Sequence, residues 1–135
     1  MEDLVRAFHE KYGHLVSKQP TTLIPESVKD LRKELISEEY EELLEAIELN
    51  SLTDIADGAA DLIYVIIGTC LSYGIPIERI FREVHNSNMT KTAIKAESGQ
   101  KYGTKTPKGP DYKAPDIHRI LFNPKTSTLL ETLNS

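Results

Sequence analysis

The sequence predicts an all-α protein, an antiparallel helical bundle of four main helices with an extended basic C-terminal tail. Three observations carry this. Apolar residues recur at spacings of three and four from Glu2 to about Met89. The breaks between these stretches are short and marked by Pro, Gly, Asn and Ser, which favours antiparallel neighbours. No stretch shows the strict alternation of a half-buried strand.

The first helix is expected over about Glu2–Val16, where Leu4, Val5, Phe8, Tyr12 and Leu15 share a face. Pro20 and Pro25 bracket a loop that holds Thr21 and Thr22. Pro25 suits a first helical turn, and Glu26 and Asp30 complement the positive end of the helix dipole. The second helix therefore runs from Pro25 to about Leu49. Asn50 and Ser51 turn the chain into a third helix over Leu52–Tyr73. Gly74 is expected as its left-handed cap, and Pro76 opens a fourth helix that reaches about Met89. Beyond Lys91 a lysine-rich stretch is punctuated by Gly99, Gly103, Pro107, Gly109, Pro110 and Pro115 and reads as an extended loop, with room for a short helix either over Pro115–Phe122 or near the C-terminus. Residues 1–91 are read as the bundle and residues 92–135 as the tail of the same single domain, since 135 residues and 15.2 kDa suit one core.

Hydrophobic residues make up 39% and charged ones 27%, which excludes wholesale disorder. Cys70 alone builds neither a disulfide framework nor a thiolate zinc site, and points to a reducing compartment. Met1-Glu2-Asp3 is acidic where a targeting peptide would be basic. The longest apolar run, Leu62 to Ile75, is shorter than the ~20 residues a bilayer demands. A cytoplasmic protein without a membrane partner is expected. Its net charge of −5 is unevenly placed: residues 1–90 carry 17 acidic and 8 basic side chains, and residues 91–135 carry 4 and 8. An acidic body with a basic tail suits a site where metal cations and phosphates meet, although a solvated acidic surface accounts for the same numbers. The acidic body also argues against nucleic acid as a partner, despite Tyr102 and Tyr112 in the basic tail.

At ~100° per residue, Val28, Leu31, Leu35, Ile36, Leu43 and Ile47 define the inward arc of the second helix. Glu34, Glu38, Glu41, Glu45 and Glu48 lie opposite or at its margin. Glu39 falls inside the arc and Glu42 at its edge. A buried carboxylate without a partner is costly, so a cation should meet it, either Arg32 in an ion pair or a metal. In the third helix, Ile55, Ala59, Leu62, Ile63, Val65, Ile66, Ile67, Cys70 and Leu71 cover most of the circumference, as expected of a central helix. Its charged residues, Asp54, Asp57 and Asp61, form one stripe. Two helices thus aim carboxylates at one region. Oxygen-only ligands suit Mg²⁺, with Mn²⁺ as a substitute, because such ions retain waters and bind substrate phosphates. A di-iron centre would want Glu-x-x-His on two helices, and none of His9, His14, His85 or His118 follows a glutamate at that spacing. The Walker phosphate loop, the dinucleotide-binding glycine motif and the zinc-protease motif are all missing, and no nucleophile context supports a serine triad.

These residues resemble the all-α nucleoside triphosphate pyrophosphohydrolases, the MazG-like and phosphoribosyl-ATP-pyrophosphohydrolase-like superfamily. Glu38-Glu39-Tyr40-Glu41-Glu42 matches the first family signature, Glu-Glu-x-x-Glu. The second, Glu-x-x-Asp on the next helix, is matched at Asp61, while Gly58 holds the glutamate place and Asp57 stands in for it. His85-Asn86-Ser87-Asn88-Met89-Thr90-Lys91 is similar to an Asn-x-x-Lys segment near the substrate, and Gly99 to Ile117 resembles the tail of the phosphoribosyl-ATP branch. The resemblance implies Mg²⁺-dependent cleavage of a nucleoside triphosphate to the monophosphate and pyrophosphate. It implies metal ligands at Glu39, Glu42, Asp57 and Asp61, with Glu38 as the base. It places substrate contacts at Asn88, Lys91, Lys101, Lys105 and Lys108. It implies a homodimer or homotetramer, which a central helix in need of cover also fits. Two alternatives stand beside this reading: a non-catalytic nucleotide-binding regulatory module that lost activity through Gly58, and phosphoribosyl-ATP hydrolysis.

Overall fold

The computed structural model describes residues 1–93 and 105–123, and every regular element among them is helical. The helices are α1 (Glu2–Tyr12), α2 (Glu26–Glu48), α3 (Leu52–Ser72), α4 (Ile77–Asn88) and α5 (Ile117–Phe122). The chain divides into two compact units, Met1–Ile77 and Glu78–Ser135.

In the first unit α3 packs along α2 and, over a shorter length, on α1. The register is antiparallel: Gly58 near the start of α3 meets Leu43 near the end of α2, and Thr69 near the end of α3 meets Arg32 near the start of α2. Asn50, in the left-handed region at φ 53°, reverses the chain between them. Ser51 then caps α3: its Oγ accepts the Asp54 N–H at 3.4 Å and donates to Asp54 Oδ2 at 2.7 Å. The core is Val5, Ile67 and Leu71, with Ile77 packed against it.

α1 stops at Tyr12 and does not reach Val16, because Gly13 takes a left-handed φ of 72° and the His14 N–H turns back to the His9 carbonyl at 2.9 Å. The chain released there runs beside the end of α3. Ser17 N–H donates to the Leu71 carbonyl at 3.0 Å, Ser17 Oγ to the Ser72 carbonyl at 2.7 Å, and Thr21 N–H to the Tyr73 carbonyl at 3.0 Å. The Leu71 carbonyl also accepts the Gly74 N–H at 3.2 Å, and the Ser72 and Tyr73 carbonyls at the helix end are satisfied by the incoming chain. Gly74 is the left-handed cap the sequence predicts, at φ 68°, and the Gln19 carbonyl lies where its Cβ would stand.

α3 is buried chiefly in its second half, at Ile67, Gly68, Cys70, Leu71 and Ser72, while Ile63, Tyr64 and Ile66 remain more than a third exposed. On α2 the buried positions are Arg32 and Ala46, and Ile47 is half exposed because the register turns Leu43 and Ala46 toward α3 instead. By length and composition the whole of α3, Leu52–Ser72, is sufficient to cross a membrane, more than the run Leu62–Ile75 suggests. The central helix of a folded unit meets the same criterion.

In the second unit, α4 and α5 bury Ile80, Ser87 and Ile120. Asp116 caps α5 by accepting the Arg119 N–H, and its own N–H donates to Glu83 Oε1 at 2.8 Å. The Arg119 guanidinium reaches Glu83 Oε2 at 3.3 Å. Part of the expected tail folds back on the end of α4. Ser87 Oγ donates to the Lys113 carbonyl at 2.7 Å, Lys113 N–H to Thr90 Oγ1 at 2.8 Å, and Thr92 N–H to the Pro107 carbonyl at 3.1 Å. The short helix expected over Pro115–Phe122 is α5.

Gly74→Ala should destabilise the protein, since a left-handed backbone costs an L-residue about 1–2 kcal/mol and the Gln19 carbonyl leaves the methyl no room. Chemical denaturation checks this, with unchanged stability as the contrary result.

Candidate active site

Helical periodicity places Glu39 and Glu42 on the same stripe of α2 as Arg32 and Leu35, and Asp57 and Asp61 on the same stripe of α3 as Val65 and Gly68. Because α2 and α3 run antiparallel with Leu43 against Gly58, these acidic stretches come to the same level of the hairpin. Glu39 is half-buried, and its Oε2 is shut away from solvent without a hydrogen-bond partner. Burial pushes its carboxyl above the usual carboxylate range, and the charges of Glu42, Asp61, Glu38 and Asp57 push it the same way. Those four side chains are exposed, and among the described residues none of the five is paired with a cation.

The five predicted carboxylates therefore share one electrostatic field. They do not yet share one point: among the described residues no group of three or more His, Cys, Asp or Glu stands close enough to hold an ion. Arg32 is not the partner of Glu39 that the wheel suggested. Its Nε donates to Thr69 Oγ1 at 3.2 Å and its Nη2 to the Val65 carbonyl at 3.1 Å, because it packs across to α3 and not along α2. Asp54, the third acid of the α3 stripe, is engaged with Ser51 at the helix cap.

Gly58 is buried, and a Cβ there would lie 3.3 Å from Leu43 Cα. A side chain at this place would need the Leu43 backbone to give by a few tenths of an ångström. Asp57, one residue earlier and ~100° round the helix, stands in the open and contributes to the field at Glu39.

The orphaned Glu39 oxygen and a donor set made only of carboxylates fit a hard dication such as Mg²⁺, which takes one or two carboxylates and keeps its waters. Four exposed acids have the freedom to turn toward it at small cost.

In the second unit, Asn88 ends α4 and is exposed, Lys91 is half-buried, and Lys105 and Lys108 are exposed. Lys101 lies outside the described residues. A cavity of about 640 Å³ is lined by Lys91, Asp111, Tyr112 and Lys113 together with Met89, Thr90 and Pro110. Lys108 Nζ sits 5.0 Å from the centre of the Tyr112 ring, and Ser87 Oγ lies 3.4 Å from its hydroxyl. The Ser87 contact, helped by Lys108 and Lys91, holds the Tyr112 hydroxyl below its ordinary value. Lys91 thus lines the cavity and Lys108 sits over the Tyr112 ring, while neither Lys105 nor Lys108 is among the lining residues. Sequence reasoning missed Lys113 and the part played by Tyr112. The only signal was the turn chemistry of Lys108-Gly109-Pro110, which bends the segment back so that Gly109 abuts Thr92.

Glu39→Gln should stabilise the metal-free protein. The folded-state pKa of Glu39 lies above its unfolded value, so the unfolded chain ionises first as pH rises. Stability is then lost as pH climbs through the carboxylate range to the folded value, and stays lost beyond it. In EDTA the variant should melt above wild type at pH 7, with the gap closing toward acid pH. Identical melting curves across that range would contradict the reading.

A family profile described as Phosphoribosyl-ATP pyrophosphohydrolase (PRA-PH) matches residues 5–88, which takes in all five carboxylates, most of α1 and the whole of α2 to α4. No curated protein matches the chain. The chain belongs to the phosphoribosyl-ATP pyrophosphohydrolase family, within the MazG-like all-α nucleoside triphosphate pyrophosphohydrolase superfamily, and is a hydrolase of a phosphoanhydride bond.

Proposed function

We propose that this chain cleaves a nucleoside triphosphate or deoxynucleoside triphosphate to the monophosphate and pyrophosphate with the aid of Mg²⁺. The observation that carries this is Glu39, a half-buried carboxylate with an unpartnered oxygen, set in the field of four further acids and no paired cation. Glu39, Glu42, Asp57 and Asp61 would hold the ion, which neutralises phosphate charge and lowers the pKa of water when bound. Glu38 takes the proton from the attacking water. A new phosphorus–oxygen bond forms, the bridging bond breaks, and its electron pair leaves on pyrophosphate. Asn88, Lys91, Lys101, Lys105 and Lys108 are assigned to the substrate phosphates, the lysines as point charges.

A second reading, phosphoribosyl-ATP as the substrate, is favoured by the family match itself. The non-catalytic alternative is set aside, because the family is enzymatic and Gly58 has a packing reason. The expected four-helix antiparallel bundle, its basic tail, a cytoplasmic setting without membrane or nucleic-acid partners, and a homodimer or homotetramer belong to this proposal. Exposed Leu4, Leu44, Ile47, Ile63 and Ile66 support the oligomer, which light scattering would detect.

A screen of nucleoside triphosphates, deoxynucleoside triphosphates and phosphoribosyl-ATP for pyrophosphate release tests the reaction and separates the substrates. Glu42→Gln should abolish release while the helical signal survives, and wild-type turnover persisting in excess EDTA would overturn the metal requirement. A charge-assisted contact is worth roughly 1.5–3 kcal/mol, so Lys91→Ala or Lys108→Ala should raise KM about tenfold or more. An unchanged KM in both would remove these lysines from substrate binding.

A further inference from the structure

The buried residues of α1 are Val5 and His9, each 2% exposed. Val5 joins the core with Ile67 and Leu71, and His9 follows one turn later on the same face. Half of what fastens this helix is therefore a titratable ring. We propose that His9 makes α1 an acid-released clamp: a proton on its Nε2 sets a second cation against Arg32 and frees α1 from the α2–α3 hairpin. Neither substrate nor metal is needed for this release.

The two ring nitrogens stand in different surroundings. Nδ1 lies 3.1 Å from the Leu15 carbonyl, which also accepts from Ser72 Oγ at 3.0 Å, so the neutral ring carries its proton there. Nε2 faces the guanidinium: it and Arg32 Nη2 both come within 3 Å of the point where a Gly68 Cβ would stand. Arg32 is held in place, its Nε by Thr69 Oγ1 at 3.2 Å and its Nη2 by the Val65 carbonyl at 3.1 Å. It keeps its charge at every pH a protein meets, and at 5% exposure little solvent screens that charge from the ring.

The charges around His9 are of one sign. Arg32 faces it from α2, and His14 faces it from the segment after α1, with the two imidazole centres 5.3 Å apart. α3 presents Gly68 and Val65, and its Tyr64 lines the same cavity. On α1 itself, Glu2 is taken up by Arg6 at 3.0 Å. Among the described residues no carboxylate acts on the ring. Burial, with Arg32 and His14, holds His9 below the ordinary histidine value of 6.5, and the Leu15 bond works the other way without prevailing.

The sign follows. A ring released from the interface takes up its proton first as pH falls through 6.5, so docking weakens from there downward until the docked ring is protonated too. The released helix has little to keep it folded. It has 11 residues and no side-chain bond at its N-cap, and isolated helices below about 12–15 residues are marginal in water.

Hydrogen exchange followed by NMR on the full-length, metal-free protein between pH 7 and pH 5, with the intrinsic pH dependence of exchange divided out, tests the clamp. Release with uptake of one proton should lower the protection of α1 amides by up to about tenfold for each pH unit below 6.5. α2 and α3 should stay protected, since acid favours the native form of Glu39, and return to pH 7 should restore α1. His9→Gln stays neutral and can still donate to the Leu15 carbonyl, so it should abolish the pH-dependent loss. Should that variant not fold, the wild-type ring decides: His9 titrating below 6.5 upholds the clamp, and titrating at or above it overturns it. Protection of α1 that holds from pH 7 to pH 5, or falls in step with α2 and α3, would also overturn it. So would an undiminished loss in His9→Gln.

Discussion

The bare backbone of α3 at Gly68 is the constraint on which the first unit depends. His9 from α1 and Arg32 from α2 both come within 3 Å of where its Cβ would be, so three helices converge on one residue without a side chain. His9 Nδ1 and two of the Arg32 nitrogens, buried by this contact, find partners locally. His9 Nδ1 lies 3.1 Å from the Leu15 carbonyl, and Arg32 binds Thr69 Oγ1, whose own proton goes to the Val65 carbonyl at 2.7 Å. Burial keeps His9 below its ordinary value, which favours the neutral ring with its proton on Nδ1. A neutral imidazole beside a buried guanidinium avoids the repulsion that a second cation would bring.

The same close approach makes the acidic cluster tolerable. Five carboxylates at one level of a hairpin repel one another, and repulsion alone would separate α2 from α3. The hairpin is closed at one end by the Leu43–Gly58 contact and its Ser51 cap, and at the other by Arg32 on Thr69 and Val65. The acids sit between these two ties, and four of the five are exposed to water, where a high dielectric weakens the repulsion. Only Glu39 bears the cost of partial burial, and its raised pKa is the visible result.

Much of this was legible in the sequence, for reasons that differ from element to element. Helical periodicity fixed α2, α3 and α4 to within a residue or two, and Gly74 and the Asn50-Ser51 pair marked their ends through local turn chemistry. Glu39 was conspicuous because a charge interrupted an apolar arc. Gly13 carried the signal that ends α1, but the apolar spacing through Leu15 masked it. The partner of Arg32 was not legible, since a helical wheel gives the face on which a side chain lies and not the group that it meets across the interface. Nor was the fold-back of residues 105–116 onto α4, which rests on single hydrogen bonds between positions far apart in sequence, such as Ser87 with Lys113.

The departure from the family motif at Gly58 follows from the same geometry. A side chain at 58 points at the Leu43 backbone, with its Cβ 3.3 Å from Leu43 Cα, so the position lies on the tight contact line between α2 and α3. Moving the acid back one residue turns it ~100° out of the interface and leaves it four residues, about one turn, from Asp61. Asp57 thus keeps a carboxylate beside the cluster without touching the packing. A shorter side chain suffices there, because an exposed position at the edge of the interface has no neighbouring helix to reach around.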